Sequence, residues 1–191
     1  MSISWSSIDW LYTRLEDYNK VMQPLFKDLH SASNGLRLVG GPFWRRIYVR
    51  SLVATIEADI FQRKQLAIVG NEQEAIFSNE ELAVLKEEQY SVQSNGKIKV
   101  STKFIPLAAN YRLSFELAGR VIHSPFQLKV DGGEWDDFLR CIELRNNITH
   151  PRSSEDIEVS EADAKMAQRV SSWCAENGVN FFREAADEID A

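Results

Sequence analysis

Residues 42–68 read "PFWRRIYVRSLVATIEADIFQRKQLAI", and their apolar pattern sets the architecture of the chain. At about 100° per residue, the apolar side chains fall nearly all the way round a helix axis. They are Phe43, Trp44, Ile47, Tyr48, Val49, Leu52, Val53, Ile56, Ile60 and Phe61. Pro42 suits the first turn of a helix. Because a helix that is apolar on most sides must be covered by neighbours, the stretch predicts the central helix of a bundle.

Polar residues on this helix fall on two sides. Arg46, Arg50, Glu57 and Lys64 share one narrow stripe. The stripe is either a solvent-facing seam, with Arg50 and Glu57 merely solvated, or a polar line that supports a site. Asp59 lies on another side among apolar residues, where its carboxylate needs a partner, since an unpaired buried charge is costly.

Helical periodicity and capping signals predict further helices before and after the central one. The predicted helices span about residues 7–29, 78–89, 104–123, 134–148 and 160–189, the last with a break at Asn177-Gly178. Ser78 begins one of them as a capping residue, and Ser160 with Asp163 begins another. Residues 31–42, "SASNGLRLVGGP", are rich in helix breakers and are predicted to form a loop.

A short β-hairpin interrupts the helical pattern. Asn95-Gly96, the preferred pair for a tight type I′ turn, is flanked by Val92, Ile98 and Val100. The expected fold is therefore all-α, a compact bundle of about five to six helices with a small β-hairpin insertion near Asn95-Gly96. We expect one helical domain over residues 1–191.

Composition indicates a soluble globular protein. The chain has 191 residues, 44% of them hydrophobic and 26% charged, which suffices for one domain with a sizeable core. No apolar run approaches the ~20 residues of a membrane span, and no secretory signal is visible, so we expect a cytoplasmic location without membrane association. Cys141 and Cys174 lack a C-x-x-C pattern and are predicted to be reduced thiols. No histidines are spaced as a ligand pair, so no structural metal site is expected.

Charge is spread unevenly along the chain. The net charge is −6, but residues 153–191 carry ten acidic side chains against three basic ones, whereas residues 35–65 carry six basic against two acidic ones. The overall acidity argues against a broad phosphate-binding surface, although it leaves room for a small basic pocket. The acidic C-terminal segment is interpreted as a solvated helix face.

The predicted helix 134–148 places its charged residues on two different sides. Arg140 lies with the other charges on the polar side, while Arg145 falls inside the apolar arc and Asn146 lies near its edge. A guanidinium stays protonated in a protein, so Arg145 must either be paired or line a polar cavity.

His150 lies at the end of the same helix. Pro151 disfavours the helical conformation of the residue before it, so the helix should end near His150. The imidazole then lies about one turn beyond Arg145 and Asn146, where the helix dipole favours its protonated form. A basic residue at a helix C-terminus is by itself an ordinary cap. Together, the three residues form one candidate site.

The stretch "RNNITH", Arg145 to His150, matches the R-N-x-x-x-H form of the R-x(4–6)-H motif and resembles the HEPN superfamily. The surrounding architecture, over about Pro42 to Trp173, is also similar. It combines a helical bundle, the motif at the end of a late helix, a proline after the histidine and a further long helix. The hairpin departs from the minimal bundle of that superfamily.

This resemblance implies a metal-independent endoribonuclease without a cofactor, of toxin–antitoxin, phage-defence or RNA-processing type. It implies a homodimer in which two motifs face each other. His150 would act as general base or acid on the ribose 2′-OH or the leaving group, and Arg145 would stabilise charge on the scissile phosphate. Asn146 would orient either the histidine or the phosphate. Glu57 resembles the acidic residue that some HEPN families carry near the motif, and Arg50 on the same stripe is a second supporting candidate.

Three functions are therefore open. The first is an HEPN endoribonuclease with RNA as substrate and an antitoxin or regulatory protein as a further partner. The second is a non-catalytic HEPN module that binds RNA, a nucleotide or a partner protein. The third is an unrelated helical scaffold in which Arg145 forms a core ion pair with Glu57 or Asp59. Overall acidity slightly favours the second and third, because much of the surface would repel RNA.

Overall fold

The computed structural model describes the backbone of residues 5–189 and the side chains of residues 9–188. Residues 1–4 and 190–191 of the predicted domain lie outside the described residues. Within these bounds the chain forms helices α1 Trp5–Leu38, α2 Gly41–Glu74, α3 Asn79–Leu85, α4 Leu107–Val121, α5 Gly133–Thr149 and α6 Glu161–Ile189, with strands β1 Glu88–Val92 and β2 Ile98–Thr102 between α3 and α4. The predicted helical bundle with a small hairpin is therefore confirmed.

Helix α2 is the centre of the bundle, as its apolar pattern predicts. It packs against α1, α4, α5 and α6. Its buried side chains include Val49, Leu52, Val53, Ile56, Ile60 and Leu66. Among the described residues, no helix combines the length and the apolarity that crossing a membrane requires.

The predicted loop over residues 31–42 is wrong for most of its length, because α1 continues to Leu38. The reason is tertiary packing, which overrides a weak local propensity. Ala32 is buried in the core, and Gly35 lies against Trp44 of α2, so close that a Cβ would come within 2.3 Å of the indole. The turn is confined to the residues around Gly40, whose φ of 69° suits glycine.

The break predicted at Asn177-Gly178 is also wrong, since α6 runs without interruption from Glu161 to Ile189. Phe181 is fully buried just beyond the glycine, and its packing outweighs the roughly 1 kcal/mol that a helical glycine costs. The predicted cap at the start of α6 is confirmed. The Asp163 N–H donates to Ser160 Oγ and the Ser160 N–H donates to Asp163 Oδ2, each at 3.1 Å.

The hairpin forms where the sequence predicts it, but its turn differs. Val92 pairs with Ile98, and the Gly96 N–H donates to the carbonyl of Gln93 at 2.9 Å. In this turn only Gly96 has a positive φ, of 79°, whereas a type I′ turn requires positive φ at both central residues. The Gln93 N–H also donates to the carbonyl of Lys97, so the loop itself consists of the three residues 94–96. Its last residue, Gly96, has the positive φ that is typical of such three-residue loops.

Substitution of two helical glycines by alanine should change the free energy of unfolding in opposite directions. A Cβ at Gly70 of α2 would lie 1.8 Å from Val121 Cγ1, whereas a Cβ at Gly178 of α6 would meet nothing within 4 Å. We expect Gly70→Ala to lower the free energy of unfolding by about 1–3 kcal/mol, because overpacking outweighs helix propensity. Gly178→Ala should raise that free energy by about 0.5–1 kcal/mol. Urea unfolding measures both, and a change of the same sign in the two variants would contradict this packing.

Candidate active site

A groove of about 980 Å³ runs between α2, α5, the segment that leads into α4 and the loop after α5. Its lining includes Glu57, Ile60, Phe61 and Lys64 of α2, Leu139, Ile142, Arg145, Asn146 and Asn147 of α5, and His150, Arg152 and Asp156 after it. Four of the five residues predicted for the site therefore border one groove. Arg50 is the exception.

Arg145 is paired within this groove. Its guanidinium donates a hydrogen bond to the Glu57 carboxylate, and both side chains stay in part open to solvent, 21% exposed for Arg145 and 45% for Glu57. Arg145 Nε is buried and has no hydrogen-bond partner among the described residues. Arg140, on the same helix, is 69% exposed and points to Asp163. The prediction that Arg140 and Arg145 lie on different sides of the helix is confirmed.

The polar stripe of α2 is a line of contacts to other elements. Arg50 donates to the carbonyl of Ile148 at 2.8 Å, near the end of α5. Glu57 accepts from Arg145, and Lys64 Nζ donates to Glu87 Oε1 at 2.7 Å. Three of its four members thus hold partners in other elements, which excludes a merely solvated seam. Arg50 lies outside the groove and positions the last turn of α5.

His150 ends α5, as the following proline predicts. Its N–H donates to the carbonyl of Asn146 at 2.9 Å, and its φ of −126° leaves the helical region. The side chains of His150 and Asn146 are exposed at the groove, and neither makes a hydrogen bond to another described residue. Both polar groups are therefore available to a ligand.

The loop after His150 borders the groove. Asp156 Oδ2 accepts the N–H groups of Arg152 at 2.7 Å and of Ser153 at 3.1 Å, which folds the loop back on itself. Arg152 and Asp156 both line the groove. Sequence reasoning missed these two residues, because a loop without periodicity gives no indication of the direction in which its side chains point.

A second polar cluster in the groove was also missed. It consists of Lys64, Glu87 and Asn110, which come from α2, the turn before β1 and α4. Lys64 is almost fully buried, and Asn110 Nδ2 donates to the same Glu87 oxygen as Lys64 does, at 3.0 Å. Burial opposes ionisation of Glu87, but hydrogen bonds from Lys64 and Asn110 outweigh it and hold the pKa of this carboxyl below its usual range. Glu87 is therefore a carboxylate at neutral pH.

Asp59 does not belong to this groove. Its carboxylate accepts hydrogen bonds from Arg63 and from the Tyr18 hydroxyl. Burial and the neighbouring carboxylate raise the pKa of Tyr18. Asp59 thus has the partner that its position requires, and Arg145 pairs with Glu57 rather than with Asp59.

The cysteines supply no nucleophile. Cys141 and Cys174 are free thiols, and burial raises the pKa of each to about 12. Both are therefore protonated at neutral pH. In the part of the chain that the structure describes, no group of three or more His, Cys, Asp or Glu side chains is arranged to hold a metal ion.

The groove thus combines an imidazole, an amide and a paired guanidinium on an open surface. An imidazole at this position can accept or donate a proton, and a guanidinium stabilises an anion through parallel N–H groups. The arrangement suits an anionic ligand that undergoes proton transfer, such as a phosphodiester.

Comparisons of the chain with protein-family models, with curated proteins and with solved structures each give no match. The resemblance to the HEPN superfamily therefore rests on the sequence from Arg145 to His150 and on the helical architecture around it.

Proposed function

We propose that the chain is a metal-independent endoribonuclease of HEPN type that cleaves RNA at this groove. The observation that carries the proposal is the presence of Arg145, Asn146, His150 and Glu57 on one open surface. Glu57 is a positioning residue, because it holds the guanidinium at the groove through the ion pair.

The exposure of this ion pair argues against the scaffold hypothesis. A pair that served packing alone is expected deep in the bundle, as Arg63 with Asp59 is, where the side chains are 0% and 16% exposed. The pair of Arg145 with Glu57 instead borders a groove large enough for a nucleotide. Its position therefore favours a role in binding or chemistry.

In the proposed reaction the ribose 2′-oxygen attacks the adjacent phosphorus, and the bond from phosphorus to the 5′-oxygen of the next nucleotide breaks. His150 accepts the 2′-OH proton as general base. Arg145 stabilises the charge that develops on the phosphate oxygens, and Asn146 orients the imidazole or the phosphate. The departing 5′-oxygen takes a proton from solvent water. The products are a 2′,3′-cyclic phosphate and a 5′-hydroxyl.

The proposed enzyme is a homodimer with two grooves brought together across a two-fold axis. Such an interface presents the same surface from both copies. Phe61 of α2 and Leu139 of α5 line the groove and are exposed, at 56% and 41%, so they offer apolar area next to the site. We further propose a cytoplasmic role in a toxin–antitoxin, defence or RNA-processing system, in which an antitoxin or regulatory protein controls the activity.

The test is cleavage of RNA by the purified chain in the presence of EDTA. We expect cleavage with cyclic phosphate ends, and a loss of at least 100-fold in His150→Ala, because the general base is removed. His30→Ala is the matched control, since His30 is exposed on α1 away from the groove, and it should cleave like the unmodified chain. Activity that needs a divalent metal, or that survives in His150→Ala, would refute the proposal.

A non-catalytic module that binds RNA, a nucleotide or a partner protein is the second candidate. It is favoured by the net charge of −6 and by Glu57, which already offsets the charge of Arg145. Under this alternative the chain leaves RNA intact over a wide concentration range, and its expression has no toxic effect. Binding that depends on Arg145 without any cleavage would establish it.

A further inference from the structure

We propose that the cluster of Lys64, Glu87 and Asn110 is a subsite that recognises a guanine base of the RNA. This inference rests on the proposed function, because it places the base in the same groove as the scissile phosphate. The cluster, Arg145 and His150 all line this groove, whose volume of about 980 Å³ exceeds the space that one nucleotide fills.

The cluster has hydrogen-bonding capacity that the described residues do not use. Glu87 Oε1 accepts from Lys64 and Asn110, whereas Oε2 accepts from no other described residue, and the Glu87 side chain is 37% exposed. The Lys64 ammonium has three N–H groups and makes one hydrogen bond to a described residue. Asn110 is about nine-tenths buried, and its Oδ1 has no partner. A donor and a carboxylate acceptor are thus held side by side.

This pattern matches one nucleobase better than the others. Guanine presents the O6 acceptor next to two donors, N1–H and the exocyclic amino group, so O6 faces Lys64 while both donors face the Glu87 carboxylate. In the same orientation, adenine and cytosine would place an amino group against the ammonium; turned round, each would offer the carboxylate one donor group where guanine offers two. Uracil would place a carbonyl oxygen against the carboxylate. Each mismatch leaves a polar group unpaired or opposed in a partly buried site, which is costly.

Phe104 supplies a surface for stacking beside the cluster. It lines the groove and is 85% exposed. It follows Lys103, whose backbone N–H donates to the carbonyl of Glu87 at 2.7 Å, so the backbones of Phe104 and Glu87 lie near each other. Aromatic side chains bind bases of single-stranded RNA by stacking.

The test is binding of mononucleotides to the full chain by titration calorimetry. We expect guanosine 3′-monophosphate to bind about tenfold or more tightly than the adenosine, cytidine and uridine 3′-monophosphates. Inosine 3′-monophosphate, which lacks the exocyclic amino group, should bind between guanosine and adenosine. Equal affinity for all of them, or no binding at millimolar concentration, would overturn the subsite.

Single substitutions show which side chain causes the preference for guanine. Glu87→Gln should reduce the preference for guanine about tenfold, because the amide presents a donor in place of one acceptor. Glu88→Gln is the matched control, since Glu88 is the next residue, does not line the groove and loses the same charge. A preference that persists in folded Glu87→Gln would overturn the subsite.

A further variant leaves the ion pair of Lys64 with Glu87 intact. Phe104→Ala removes only an exposed ring, so it should fold normally and weaken binding of every nucleotide about tenfold. Unchanged binding in this variant would contradict the stacking surface.

Failure of the subsite and failure of the proposed function give different results. Selective binding of guanosine 3′-monophosphate by a chain that cleaves no RNA supports the subsite and refutes the catalysis. Cleavage that depends on His150 but shows no preference for any base supports the catalysis and overturns the subsite.

Discussion

Arg145→Ala is expected to lower the rate of RNA cleavage about 10³-fold or more, since an arginine that stabilises a phosphoryl transition state contributes on that order. The reason lies in the groove. Arg145 is held there by Glu57, is 21% exposed and leaves its Nε without a partner among the described residues. Single-turnover cleavage of a labelled RNA measures the loss directly.

Arg140→Ala is the matched control for this experiment. Arg140 lies on the same helix and carries the same charge, but it is 69% exposed and faces Asp163 instead of the groove. Its replacement should leave the cleavage rate unchanged. Arg145→Lys keeps the charge but loses the planar fork of donors, so it should restore only a small part of the activity.

The outcome separates catalysis from packing. If Arg145 forms only a structural ion pair, Arg145→Ala lowers the free energy of unfolding while the folded fraction still cleaves RNA. Equal losses of activity in the variants of Arg145 and Arg140 would show that positive charge on α5, rather than the position of Arg145, matters.

The sequence predicts the fold where local patterns and tertiary packing agree. The apolar residues of α2, the cap at Ser160 and the Asn95-Gly96 turn indicate correct elements, because their signals are local. The cap at Ser78 indicates the correct start of α3, but this helix ends at Leu85, and residues 88–89 of the predicted helix belong to β1. The prediction of helix from the sequence fails where a residue with low helix propensity is held in the helix by a partner that is distant in the sequence. Gly35 remains helical against Trp44, and Gly178 remains helical beside the buried Phe181.

In the candidate site, too, the sequence predicts which neighbouring residues lie together but not which distant residues they contact. Arg145, Asn146 and His150 lie within six residues of one helix end, so a helical wheel brings them together. The contact of Arg145 with Glu57 depends on how α2 packs against α5, so the sequence leaves both Glu57 and Asp59 open as its partner. No sequence pattern joins Lys64, Glu87 and Asn110, because the turn that brings Glu87 to the groove has a left-handed backbone, φ 54°, at a glutamate.

Arg63 is the arginine whose removal should affect stability most. It is fully buried, donates to Ser114 Oγ at 3.0 Å and to the Asp59 carboxylate, and lies 3.9 Å from the centre of the Phe115 ring. Burial opposes its charge, but the nearby carboxylate outweighs burial and raises the pKa of Arg63. The apolar surroundings of Asp59 in the sequence predict that it needs a partner, but they do not indicate that the partner is Arg63.

Arg63→Met should lower the free energy of unfolding by about 3–5 kcal/mol, because it leaves the Asp59 carboxylate without its cation in a mostly buried position. Urea unfolding followed by circular dichroism measures the change. The double variant Arg63→Met/Asp59→Asn should recover part of the loss, since it removes the charge that the single variant leaves uncompensated.

Arg120→Met provides the comparison that isolates burial. Arg120 also pairs with a carboxylate, that of Glu81, and lies over an aromatic ring, that of Phe77, but its side chain is 40% exposed. Its loss should therefore cost only about 1 kcal/mol. Because Arg63 does not border the groove, the folded fraction of Arg63→Met should still cleave RNA at the normal rate. A loss of cleavage by folded Arg63→Met would mean that the core of the bundle, and not the groove alone, sets the geometry of Arg145.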